Sequence, residues 1–137
     1  MAQVSEDAYN RLAQYWGRGQ IMRGLLHSLL DEHGNDIQKI MDDGYGLRLE
    51  TYMSFWMAAL FTTVEGFNKL KLKDAEVQRL FTSHVGNLKE LRHETYHFTV
   101  SREEGRSAIA AINWAEELHV ALGKYLEKHV DMTGIDR

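Results

Sequence analysis

Not one of the chain's 137 residues is proline, and this narrows the available folds more than any other single feature. Turn-rich β folds use proline's fixed backbone angle at their corners, and a proline inside a helix breaks it. A chain without proline is suited to long, uninterrupted helices. It also lacks cysteine, which removes disulfide frameworks, thiolate zinc centres and cysteine nucleophiles together. A chain of this length buries about two-thirds of its unfolded surface, so it needs neither crosslink nor metal to fold as one domain. Apolar residues make up 44% and charged residues 26%, which excludes global disorder.

Hydrophobic spacing then divides the chain into helices. Ser5 reads as an N-cap, with Glu6 and Asp7 at the positive end of the first helix. Tyr9, Leu12, Trp16, Met22, Leu25, Leu26, Leu29 and Leu30 form an approximate helical stripe ending at Gly34. Gly17 and Gly24 lie one heptad apart on it and suggest a close helix approach or a kink. Residues 35–46 are acidic and read as a short helical turn and a loop. The next helix runs from about Leu47 to Gly66, with Leu49, Tyr52, Met53, Trp56, Ala59, Leu60, Thr63 and Val64 facing inward. After a basic connection (Lys69, Lys71, Lys73), Asp74 caps a short helix carrying Val77, Leu80 and Phe81. A further helix is expected from Thr82 or Ser83, ending near His97, with Phe98, Thr99 and Val100 as an extended loop. The last helix is expected from near Ser107, with Gly134 past its end. The sum is an all-α, up-and-down bundle of four main helices plus one or two short ones, forming a single domain over residues 1–137.

The formal charge is -4, so the chain is not a broadly basic nucleic-acid coat. Charge is nevertheless uneven. Residues 31–50 hold six acids against Lys39 and Arg48, whereas residues 67–92 hold six basic residues against Asp74, Glu76 and Glu90. No stretch is apolar enough for a membrane span, and the N-terminus is polar and acidic, unlike a secretory signal. The expectation is a cytoplasmic protein with no membrane association and no cofactor.

One stretch concentrates chemistry: Leu91-Arg92-His93-Glu94-Thr95-Tyr96-His97-Phe98. It admits two readings. In the first, His93 and His97 share a helix face and hold zinc while Glu94 polarises a bound water, as in a metalloprotease. The extended zinc motif fails, because Val100 and Glu103 stand where a glycine and a third histidine are required. Glu116 or Glu117 would have to serve as third ligand.

In the second reading, Arg92 and His97 act together on a phosphodiester. Arginine stays protonated and presents a planar fork to phosphate oxygens, and histidine exchanges a proton near neutrality. These are the minimum groups for cleaving RNA through its own 2′-hydroxyl without metal. Five residues on an ideal helix turn through about 500°, leaving the two side chains about 140° apart. They converge if the helix ends near Thr95 or if two copies of the chain meet there.

The same stretch resembles the signature of the HEPN superfamily: arginine, a polar residue, three variable residues and histidine. The similarity extends to Trp56-Met57-Ala58-Ala59-Leu60, to Val64-Glu65-Gly66-Phe67 and to the helix beginning Trp114-Ala115-Glu116-Glu117-Leu118-His119, covering about residues 45–128. The resemblance implies a small helical bundle, often homodimeric, with many members acting as metal-independent ribonucleases in toxin–antitoxin or phage-defence systems. Carried across, Arg92 binds phosphate, His97 transfers the proton, and His93 takes the polar position most often held by asparagine. The implied partners are a second copy of the chain, RNA and an antitoxin protein. Thr99 stands where some members carry a modifiable tyrosine, so that form of regulation is not expected. The alternative within the same fold is a non-catalytic dimerisation or nucleotide-binding module.

Glu65 reads as a half-exposed helix acid or a polar group near a cleft. His84 lies near the basic segment, while His27, His33, His119 and His129 share no spacing; all read as surface or packing residues. Trp16, Trp56 and Trp114 read as core rather than base-stacking platforms.

Overall fold

The computed structural model describes residues 3–96 and 104–135, and within them the side chains of all but 85, 87–96 and 104–110. Among the described residues the chain forms five helices and no strand: α1 (Glu6–Glu32), α2 (Ile37–Asp42), α3 (Gly46–Lys69), α4 (Ala75–Tyr96) and α5 (Glu104–Glu127). The all-α bundle of four long helices and one short one is as expected. No helix among the described residues is long and apolar enough to cross a membrane.

Helix starts follow side-chain chemistry. The Ser5 hydroxyl accepts from the Ala8 N–H at 3.1 Å, and Glu6 and Asp7 complement the helix dipole. Asp36 caps α2 through the Lys39 N–H at 3.2 Å. Asp74 accepts from the Val77 N–H at 3.0 Å at the start of α4.

The first three helices all end in the same backbone device. At the end of α1, the Asn35 N–H donates to the Leu30 carbonyl and the Gly34 N–H to that of Asp31, with Gly34 at φ 62°. At the end of α2, Tyr45 and Gly44 donate to Ile40 and Met41, with Gly44 at φ 88°. At the end of α3, Leu72 and Lys71 donate to Phe67 and Asn68. These are Schellman closures, which require a left-handed residue just past the helix. Glycine fills that position twice. The third time it is Lys71, at φ 56°; the buried Leu72 side chain that follows anchors the turn.

One expectation is corrected. The short helix from Asp74 and a second one from Thr82 or Ser83 are a single helix, α4. Ser83 does not cap: its hydroxyl donates to the Arg79 carbonyl at 3.2 Å, one turn back. A mid-helix serine can satisfy itself in this way, so its presence does not imply a helix start. The last helix also begins earlier than Ser107, at Glu104. The expected loop at Phe98–Val100 lies outside the described residues.

Side-chain pairs set the register. Gly19 lies beside Trp56 and Ala59 while Gly66 lies beside Leu12, so α1 and α3 are antiparallel. Trp16 lies on Gly123 while Arg23 binds Glu116, so α1 and α5 are antiparallel too. Trp56 meets His119, and Phe67 meets Tyr125 edge-on at 5.3 Å, so α3 and α5 run parallel on a diagonal of the bundle. Trp56, Phe67, Leu26, Leu60, Leu118 and Leu122 are among the fully buried side chains of the core. The inner face expected for α3 is largely as found, with Tyr52 and Ala59 only half-buried.

Glycines make the close approaches, though not the expected pair. A Cβ on Gly123 would sit 2.7 Å from Trp16 Cζ2, and one on Gly66 2.8 Å from Leu12 Cδ1. Gly17 faces Ile135 beyond α5, and Gly24 faces open space. The heptad spacing of Gly17 and Gly24 therefore does not mark one helix interface. Gly19 is the α1 glycine against α3.

Candidate functional site

α4 carries Arg92 and His93 in its closing turns. Their side chains, and His97 altogether, lie outside the described residues. Among the described residues, no group of three or more His, Asp or Glu side chains is arranged to hold a metal. Glu116, the first acid considered as a third zinc ligand, is committed elsewhere. Its carboxylate receives Arg23 Nε at 3.0 Å to each oxygen and Arg23 Nη2 at Oε1, with His27 Nε2 at 3.5 Å. Burial pushes this carboxyl up, but the hydrogen bonds and charge of Arg23, with smaller contributions from His27 and His119, outweigh it and hold the group below its ordinary value. Glu117 is exposed.

The described residues concentrate their polar chemistry at His119, one of the histidines with no shared spacing in the sequence. His119 is 2% exposed at the meeting point of α1, α3 and α5. The Trp56 indole N–H donates to His119 Nδ1 at 3.2 Å. Indole nitrogen only donates, so Nδ1 is the acceptor and the ring proton sits on Nε2. That N–H donates to Gln20 Oε1 at 2.6 Å, which also accepts from Arg23 Nη1 at 3.3 Å. The Trp16 indole N–H donates to the His119 carbonyl at 2.9 Å, and its ring stacks on the imidazole at 4.6 Å. Burial, reinforced by Arg23, lowers the His119 pKa to about 3. A neutral imidazole with both nitrogens engaged is a tie between helices rather than a proton shuttle.

Around this buried centre the polarity grades outward through Gln20 and Arg23 to the Glu116 carboxylate and the half-exposed His27. One signal was present in the sequence: Gln20, Arg23 and His27 recur at helical spacing on α1, as do Glu116 and His119 on α5. Nothing in the spacing says that the two sets face each other.

Two further arrangements bear on the sequence-derived site. His84 of α4 stacks on Trp114 of α5, with centroids 4.4 Å apart and planes 4° from parallel. Trp114 is thus half-buried between two helices rather than deep in the core. His84 precedes Arg92 on the same helix by about 12 Å of axial rise. Glu65 is half-buried and lines a groove between α1 and α3.

No protein-family model, curated protein or solved structure matches the chain.

Proposed function

We propose that this protein is a HEPN-like RNA-binding protein that cleaves RNA without a metal, in a toxin–antitoxin or phage-defence role. The observation that carries the reading is the Arg92-His93-…-His97 pattern in its sequence context. An all-helical bundle with Arg92 and His93 in the final turns of a 22-residue helix is compatible with it. His97 takes the proton of the ribose 2′-hydroxyl as that oxygen attacks the adjacent phosphorus. The bond to the 5′-oxygen breaks, and that oxygen takes a proton from solvent water. Arg92 balances the charge growing on the non-bridging oxygens, and His93 hydrogen-bonds beside it. The products are a 2′,3′-cyclic phosphate and a 5′-hydroxyl. A homodimer that brings the motif of one copy against that of the other satisfies the angular separation of Arg92 and His97.

The test is cleavage of a mixed-sequence RNA in chelator, with end-group analysis and with Arg92→Ala and His97→Ala measured beside the parent chain. Cleavage in chelator that both substitutions abolish, without lowering the melting temperature, supports the reading. Equal cleavage by all three proteins removes it. The net charge of -4 favours a second reading, a non-catalytic dimerisation or nucleotide-binding module with a small nucleic-acid footprint. A stable dimer that leaves every RNA intact supports that alternative.

A further inference from the structure

We propose that the groove between α1 and α3 binds a small amphiphilic anion: one flat apolar ring carrying a single phosphate. The groove encloses about 320 Å³. That is the lower end of the ~300–1,000 Å³ typical of small-molecule sites, room for one ring and its head group. Leu12, Leu70 and the Tyr15 ring give the groove a largely apolar lining. Gly66 also lines it and lets α1 approach, since a Cβ there would strike Leu12 Cδ1 at 2.8 Å.

Charge selects the head group. Arg11 from α1 and Lys69 from α3 stand on opposite walls, both exposed. Tyr15 preorganises the arginine side. The Arg11 guanidinium lies over its ring at 5.4 Å, a cation–π arrangement that holds this planar cation against a groove-lining ring. A guanidinium fork and an ammonium lining one groove suit phosphate oxygens. Glu65 also lines the groove and is itself engaged with a neighbour. Two positive charges against this one negative leave the lining a net charge suited to a single anionic head group.

This site is independent of the RNA-cleavage reading. Lys69 precedes the start of α4, whereas Arg92 lies 17 residues along that helix, about 25 Å away by axial rise.

Phenyl phosphate is the probe, titrated into the 137-residue chain at low salt and followed by amide NMR shifts. Inorganic phosphate and phenol serve as the head-only and ring-only arms. Saturable shifts confined to residues 8–15 and 62–70, weakened at least tenfold by Arg11→Ala with Lys69→Ala and unchanged by Arg92→Ala, are the expected result. Both groove substitutions are at exposed positions, and circular dichroism verifies that the variant is folded. Inorganic phosphate binding as tightly as phenyl phosphate would indicate an adventitious ion only and overturn the proposal. Phenol binding as tightly, shifts elsewhere, or no saturation would overturn it equally.

Discussion

The indole N–H of Trp56 on α3 donates to Nδ1 of His119 on α5, 63 residues away in sequence, across 3.2 Å. This bond fixes the proton of a fully enclosed imidazole on Nε2 and joins the diagonal helices of the bundle. Removing the donor leaves a buried acceptor unpaired. Trp56→Phe is expected to destabilise the protein by about 2–4 kcal/mol, combining the unpaired nitrogen with the space left by the smaller ring. Urea denaturation measures it. A loss under 0.5 kcal/mol would show that the bond contributes little.

The same histidine makes stability depend on pH with a definite sign. Unfolded, His119 takes up a proton below pH ~6.5; folded, it stays neutral down to about 3. Between these values the unfolded chain binds more protons, so stability falls as pH falls. The slope from this one group approaches about 1.4 kcal/mol per pH unit in that window. Glu116, whose carboxyl is held low, adds a loss in the same direction at more acidic pH. His119→Gln should be less stable at pH 7 and show a shallower decline between pH 6 and 4.5. Parallel pH profiles for the two proteins would contradict the assignment.

Arg23 and Glu116 form a forked ion pair in which Arg23 is mostly buried and Glu116 one-third exposed. Arg23→Met and Glu116→Gln are each expected to cost about 1–2 kcal/mol, with the double substitution costing less than the sum. Chemical denaturation of the four proteins of the cycle tests this. Strict additivity would mean that the pair is not coupled.

Two α-helical glycines should respond oppositely to alanine. Gly123→Ala forces a methyl to 2.7 Å from the Trp16 ring, and the buried ring cannot swing away, so a loss of about 1–3 kcal/mol is expected. Gly24→Ala enters open space in the middle of α1 and should stabilise by about 0.5–1 kcal/mol through helix propensity. Thermal melts of the two variants decide.

Lys71 occupies the left-handed position that Gly34 and Gly44 fill at the other two closures. Relief of the side-chain clash at φ 56° outweighs the added freedom of the unfolded chain. Lys71→Gly should therefore stabilise by about 0.5 kcal/mol, measured by thermal melting. A loss would show that the lysine makes a compensating contact.

Much of the architecture was readable along the chain because it is locally encoded. Ser5 and Asp74 announce helix starts through their own side-chain oxygens, and the absence of proline leaves the helices long. Ser83 misled because a serine that bonds one turn back looks the same in sequence as one that caps. Gly17 and Gly24 misled because regular spacing on one helix does not say what stands opposite. Of the proposed site, the residue types and the helical placement of Arg92 and His93 were legible, while the bonded geometry around His119 was not.

Helix content, helix order and the amphipathic faces follow from the chain itself, since capping, propensity and periodicity act within a few residues. Only the packed bundle brought Trp16, Gln20, Trp56 and His119 together, across more than a hundred residues of sequence at the extreme. Whether a histidine is an exposed base or a sealed neutral tie depends on the solvent and partners that other helices supply. Desolvation and hydrogen-bond closure are properties of that shared interior, and no single segment carries them.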